Sequence, residues 1–139
     1  CVYHLPVGNG IADDYFSTRW FTSRFREITG KEAAGVKEVA AEAGSNAAVR
    51  ALFDEFGKNL GSFLSPWLLR FGAEILVIGG NISHAYDLFG AAFKDALEQA
   101  KCTIRVDISG LKEDAALLGS AYLLDDDFWK AVQPVLPLM

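Results

Sequence analysis

The sequence predicts an α/β domain, a short parallel sheet with several helices, and two stretches near its middle carry that prediction. Ile75, Leu76, Val77 and Ile78 form an uninterrupted apolar run that leads into Gly79 and Gly80 and then into a helical pattern from about Tyr86 to Ala100. Beyond it, residues Thr103 to Ile108 alternate in the manner of a strand. Strand, helix and strand in that order predict a right-handed crossover between parallel strands. The first strand lacks any polar member, which predicts cover on both faces. The glycine pair lets the backbone turn sharply and leaves room for a flat ligand against it.

The remaining elements follow in chain order. A first helix is expected to start at Ser17 as N-cap, to place Trp20, Phe21, Phe25 and Ile28 on one face, and to stop at Gly30. A second, rich in Ala and Glu, is expected over about Lys31 to Ala43, with Val36 and Val39 as its apolar stripe. Gly44 ends it, and Ser45 or Asn46 caps the next. That longest helix, about Ala47 to Leu69, repeats Val49, Leu52, Phe53, Phe56, Leu60, Phe63, Leu64, Trp67 and Leu68 at spacings of three and four. Pro66 should bend or loosen its last turns. Gly57 and Gly61 lie one above the other, where they permit close approach of another backbone or of a ligand. On the crossover helix, Leu88, Phe89, Ala92, Phe93, Ala96 and Leu97 form the buried side. The chain then reads as a small-residue helix, Ala115 to Leu124, and a short helix around Phe128 to Val132, ended by Pro134 and Pro137. Asp125, Asp126 and Asp127 read as a solvated helix cap.

With 139 residues, 51% hydrophobic and 12% aromatic, the chain is expected to form a single domain, residues 1–139, around one core. Cys1 and the opening CVYHLPVGNG read like the end of a strand and its loop, as in a piece of something longer. A net charge of -5 and a pI near 4.9 argue against a nucleic-acid surface, which needs clustered Lys and Arg. Only Cys1 and Cys102 are present, about a hundred residues apart, which gives neither a disulfide framework nor a metal-ligand spacing, and a reducing cytoplasm fits best. Cys102 is expected to be a small buried apolar residue. No stretch approaches the roughly 20 apolar residues that span a bilayer, and no signal peptide is visible.

Four motifs in order, DDYFS opening a helix, KNLG in the long helix, EILVIGGNIS at a strand end and EDAALLGSAYL near the end, resemble the C-terminal half of the ROK family of sugar kinases and sugar-responsive repressors. The resemblance covers Asp13 to Leu124. It implies part of an actin-like ATPase (ribonuclease H-like) fold, with this chain as the C-terminal, nucleotide-side lobe of a larger protein. By that resemblance Gly79 and Gly80 match the glycine pair of the adenosine-side loop, with Asn81 following. Asp13 falls where the family has a glutamate that binds sugar hydroxyls, and Asp14 beside it could equally be a solvated cap residue. The family's zinc-binding cysteine cluster should occupy about Val7 to Ala12, yet PVGNGIA holds no cysteine, so no zinc is expected. His4 and His84 have no partner cluster in sequence and are expected to be structural or surface residues, although His84 follows the glycine loop closely enough to touch a nucleotide.

The resemblance implies ATP and magnesium as cofactors of the parent protein, a sugar as substrate, and transfer of a γ-phosphoryl group to a sugar hydroxyl. The family's DxGxT-type phosphate loop and its proton-accepting aspartate are not found in this sequence. Asp107, Ile108, Ser109 and Gly110 sit in the last strand-helix unit instead, so the expected contribution is to binding and no catalytic residue is assigned. Two readings remain: the nucleotide-side lobe of a hexokinase-type enzyme, or a noncatalytic sugar-sensing regulator that kept the fold. The missing cysteines favour the second and the intact GGNIS loop the first. A DNA-binding head, if the parent has one, would lie upstream of Cys1. Aromatic faces at Trp20, Phe21, Trp67 and Trp129 predict self-association into a homo-oligomer.

Overall fold

The computed structural model describes residues 2–111 and 114–134. Cys1 and Pro137 lie outside them. The chain opens with a two-residue hairpin, β1 (Pro6–Val7) against β2 (Gly10–Ile11), and a single helical turn, α1 (Ala12–Tyr15). Helices α2 (Thr18–Thr29), α3 (Val36–Glu42) and α4 (Ala47–Phe71) follow. Strand β3 (Ile75–Ile78), a 3-10 turn (Asn81–Ala85), α5 (Tyr86–Gln99) and β4 (Arg105–Ile108) then form the crossover unit, and α6 (Asp114–Tyr122) and α7 (Asp126–Val132) come last.

The two central strands pair in parallel as the pattern predicts, with Ile75 opposite Arg105 and Ile78 opposite Ile108. The expectation of a strand covered on both faces is not met. Leu76, Ile78 and Val106 pack against the core, while Ile75 and Val77 are 45% and 60% exposed. The reason is layering: α4 and α5 lie on one side of the sheet, and among the described residues none after Val106 belongs to the core cluster. The apolar run therefore reports a strand with two apolar faces, of which these residues cover one.

Helix α2 begins after Ser17 and closes at Gly30, whose left-handed φ of 70° lets its amide reach the Arg26 carbonyl at 2.8 Å. Ser17 occupies the N-cap position, yet its hydroxyl makes no cap bond. Trp20, Phe21 and Phe25 are buried, whereas Ile28, one turn further, is at the margin and 39% exposed. Helix α3 is shorter than its Ala and Glu content predicts. Gly35 is fully extended (φ -176°, ψ -177°), so Lys31 to Gly35 stays outside the helix, and Glu38 reaches back to accept a bond from the Ala34 amide at 2.7 Å. Local backbone conformation at one glycine overrides the summed propensity.

Asn46, rather than Ser45, caps α4, its Oδ1 accepting from the amides of Ala48 (3.0 Å) and Val49 (3.3 Å). Pro66 does not end the helix, which runs past the expected Leu69 to Phe71 and closes at Gly72 (φ 67°). The proline faces solvent, and beside it the buried Ser65 hydroxyl bonds the Gly61 carbonyl at 2.6 Å. Gly57 and Gly61 serve packing between backbones: a Cβ on Gly57 would strike the Phe89 carbonyl oxygen, and one on Gly61 would lie 2.7 Å from both the Phe93 oxygen and the Ala96 Cβ. Helix α5 ends in a Schellman motif, with the Cys102 amide on the Leu97 carbonyl and Lys101 at φ 57° where glycine is usual. Cys102 is buried as expected.

The core is a belt of aromatic rings from α2, α4 and α5. Phe21, Phe53, Phe56, Phe89 and Phe93 are almost fully enclosed, and Phe56 touches Trp20, Phe21 and Phe89. Trp20 and Phe21 thus belong to the core, which removes them from the aromatic surface expected to drive self-association. Trp129 is half-buried and donates its indole N–H to the Leu123 carbonyl at 2.6 Å. Asp125 caps α7 through the Asp127 and Phe128 amides, both at 2.9 Å. No described helix is long and apolar enough to cross a membrane.

At the head of α5, the Tyr86 hydroxyl is buried with no hydrogen-bond partner among the described residues, and desolvation raises its pKa. The fold therefore disfavours the phenolate. Below the unfolded tyrosine value of about 10 this has no effect, and as pH rises past it the unfolded chain loses its proton first, so stability falls. Tyr86→Phe should match or exceed the wild type near neutral pH, since it deletes an unpaired hydroxyl. Its advantage in urea midpoint should widen above about pH 10. Parallel alkaline limbs for both proteins would show that Tyr86 is solvated.

Candidate functional site

The ends of β3 and β4 open at the same edge. The Ser109 amide donates to the Ile78 carbonyl at 2.8 Å, which carries the pairing one step beyond the strands and sets Gly79–Asn81 beside Ser109 and Gly110. Carboxyl ends of parallel strands are where open α/β sheets take ligands. Gly80 has φ 72° and ψ -175°, a region that only glycine occupies without strain. Its carbonyl accepts from the Ser83 amide (3.1 Å) and hydroxyl (2.6 Å), and this double bond starts the 3-10 turn.

Gly79 is different. Its φ is ordinary, and an added Cβ would meet only the Ser109 Cβ at 3.5 Å, a normal contact. The fold itself gives no reason for glycine there. Gly79, Gly80 and Asn81 are all exposed, so the bare backbone of the loop faces outward.

Directly beyond the loop lies a cleft of about 540 Å³. One wall is Asn81, His84 and Ala85 of the 3-10 turn; the other is Ala34 to Lys37 with Ala40, from α3 and its lead-in; Thr18 of α2 completes it. Alanine and valine side chains supply an apolar bed, and Asn81, His84, Thr18 and Lys37 supply polar groups around it. No lining residue is acidic, in a chain of net charge -5. A planar heteroaromatic group with polar edges fits such a lining.

His84, expected to be structural or surface, is exposed and stands in the cleft wall with Asn81. The α3 wall was not anticipated at all. Its one sequence signal is Gly35, a helix-breaking residue inside an otherwise helical stretch.

Of the site residues expected from the sequence, Asn81 lines this cleft; Gly79 and Gly80 do not, and neither does Asp13. Its carboxylate is held by Arg19 at 3.3 Å, and the same guanidinium reaches Asp14 at 3.1 Å. Asp14 also accepts from the Ile11 amide at 3.0 Å, which makes it the residue that caps α1. Where the resemblance places a zinc stretch, Val7 to Ala12 forms the hairpin and its exit. The Asn9 amide bonds the Tyr15 hydroxyl at 3.2 Å, and the Ala12 amide bonds the Leu5 carbonyl at 2.9 Å. His4, exposed, stacks edge-on against Tyr3 with ring centroids 5.3 Å apart. Among the described residues no group of three or more His, Cys, Asp or Glu is placed to hold a metal ion.

With this geometry in view, comparison with known proteins is informative at one level only. No protein-family profile matches the chain, and no curated protein does. Among solved structures it superposes on a protein from Cytophaga hutchinsonii described as a "putative sugar kinase", with a TM-score of 0.68 and 20% sequence identity over 88% of this chain and 47% of that one. The two share a fold. The chain thus spans about half the length of the Cytophaga protein. The likeness covers the helix-rich α/β arrangement around the parallel pair.

Proposed function

We propose that this chain is the nucleotide-side lobe of a ROK-type, ATP-dependent sugar kinase with an actin-like fold, and that Gly79, Gly80 and Asn81 form its adenosine-side loop. The observation that carries the proposal is the Gly79–Asn81 turn at the carboxyl edge of the parallel pair: Asn81 lines an open cleft of about 540 Å³, and Gly79, two residues before it, has room for a Cβ that would meet only the Ser109 Cβ. A missing Cβ with no structural cause is explained by a ligand lying on the backbone. The fold shared with the Cytophaga protein supports the same reading.

The residues fit adenosine. The apolar bed takes the base, and the Asn81 amide and loop backbone take polar edges or ribose hydroxyls. ATP, when bound, supplies the phosphoryl group to be transferred. The role of this chain is to bind and orient it, and magnesium would arrive with the phosphates. Asp13, on the far side of the Arg19 pair, is the proposed sugar-hydroxyl contact, kept in place by that guanidinium. The noncatalytic sugar-sensing alternative is favoured by the hairpin that replaces the zinc stretch, since the sugar side has changed while the nucleotide loop remains open.

Calorimetric titration with ATP and magnesium tests the nucleotide assignment. Wild-type chain should bind, and Gly79→Val should abolish the heat while leaving the unfolding free energy within about 0.5 kcal/mol of wild type. Equal binding by both proteins, or none by the wild type, would remove the loop from the site. A regulator would bind hexose without ATP hydrolysis or sugar phosphorylation in the parent protein.

A further inference from the structure

The cleft has a second wall that the glycine loop does not explain. Lys37, exposed on α3, lines the cleft together with Asn81 and His84 of the 3-10 turn. Its charge is uncompensated: among the described residues no carboxylate lies within ion-pair distance of it. The acidic neighbours on α3 are engaged elsewhere. Glu38 accepts from the Ala34 amide at 2.7 Å, and Glu42 pairs with Lys31 at 2.9 Å. A free cation beside an acid-free cleft, on a chain of net charge -5, is where an anion would settle.

We infer that Lys37 is a phosphate-binding residue of this cleft, so that the site selects nucleoside phosphates over the free nucleoside. This rests on the nucleotide reading above and adds the α3 wall to it. With the base on the alanine bed and the ribose at Asn81, the ammonium stands at the rim, where a phosphate attached to that ribose can reach it. A lysine there acts as a point charge on a flexible stem, suited to a phosphate whose position varies. The bed of Ala34, Val36, Ala40 and Ala85 lowers the local dielectric and strengthens the attraction relative to open water.

Titration of the chain with ATP and, separately, with adenosine separates the two ideas. Wild type should bind ATP more tightly than adenosine, with an affinity that falls as salt rises. Lys37→Ala should weaken ATP by about fivefold, flatten the salt dependence and leave adenosine unchanged. Lys37→Arg should restore most of the loss. If Lys37→Ala weakens both ligands equally, or neither, the phosphate role is wrong while the nucleotide site stands. Failure of wild type to bind either ligand would take down the site and this inference together. The side chain is exposed on a helix where alanine is favourable, so the variant should fold.

Discussion

Gly57→Val is expected to destabilise the chain by about 3 kcal/mol or more, the upper end of what overpacking costs. Gly57 and Gly61 form a shallow groove along α4, and the backbone of α5 lies in it. Any Cβ at position 57 lands on the Phe89 carbonyl oxygen, with the Phe93 nitrogen 3.0 Å away. Those atoms belong to a helix backbone and cannot swing aside as a side-chain tip can. Relief requires α5 to shift as a body, which pulls Phe89, Phe93 and Leu97 out of the core. The gain in helix propensity on replacing glycine is below about 1 kcal/mol and has the opposite sign, so it does not rescue the variant. Gly44→Ala is the control: nothing lies within 4 Å of its Cβ position and its φ is ordinary, so its stability should stay within about 1 kcal/mol of wild type. Urea unfolding reads both. A Gly57→Val midpoint close to wild type would mean that α4 and α5 are further apart than described.

The Gly57 result also shows what a sequence can and cannot say. Spacing of four puts two glycines on one helix face, but only the partner decides whether backbone or ligand fills the groove. Where information is local, reading by residue succeeded: Gly30 ends α2 and Asn46 starts α4 because each satisfies orphan backbone groups within a few residues. The parallel pair was legible for the same reason, since two strand patterns flank one helix.

Non-local features were not. The uniform Ile75 to Ile78 run cannot tell which face α4 and α5 will cover, and Val77 is left exposed. Aromatic content said nothing of where rings go: Trp20 and Phe21 are core, while Phe71, Val77, Leu117 and Leu124 are among the exposed apolar side chains. The candidate site divides in the same way. Gly79, Gly80 and Asn81 form one contiguous turn and are readable. Lys37 and His84 line one cleft only because α3 packs beside the 3-10 turn, an adjacency no periodicity encodes.

Phe56→Ala should cost about 4 kcal/mol, the range for removing a buried phenyl ring. Phe56 is 2% exposed, and its ring lies 4.6 Å from Phe21, 5.1 Å from Phe89, 5.8 Å from Trp20 and 6.0 Å from Phe16 between centroids. Its ring touches both α2, through Trp20 and Phe21, and α5, through Phe89, at the middle of α4. Truncation leaves a cavity whose walls are other rigid rings, and rings on α2, on α5 and at Phe16 between α1 and α2 cannot collapse into it together. Such pairs add about 0.5–1.5 kcal/mol each beyond burial, though not additively. Against a typical total of about 5–15 kcal/mol this is a large fraction, so the variant should melt far below wild type. Phe56→Leu should recover much of the loss, and Phe71→Ala, at an 86% exposed position, should cost under about 0.5 kcal/mol. The consequence reaches the site, because two parts of the cleft lining hang from this belt: Thr18 from α2, and His84 from the turn that feeds α5. Nucleotide affinity should therefore survive Phe56→Leu at temperatures where that variant is folded. A Phe56→Ala cost below about 1 kcal/mol would mean that the rings are loosely packed and that the cleft is held open by something other than the belt.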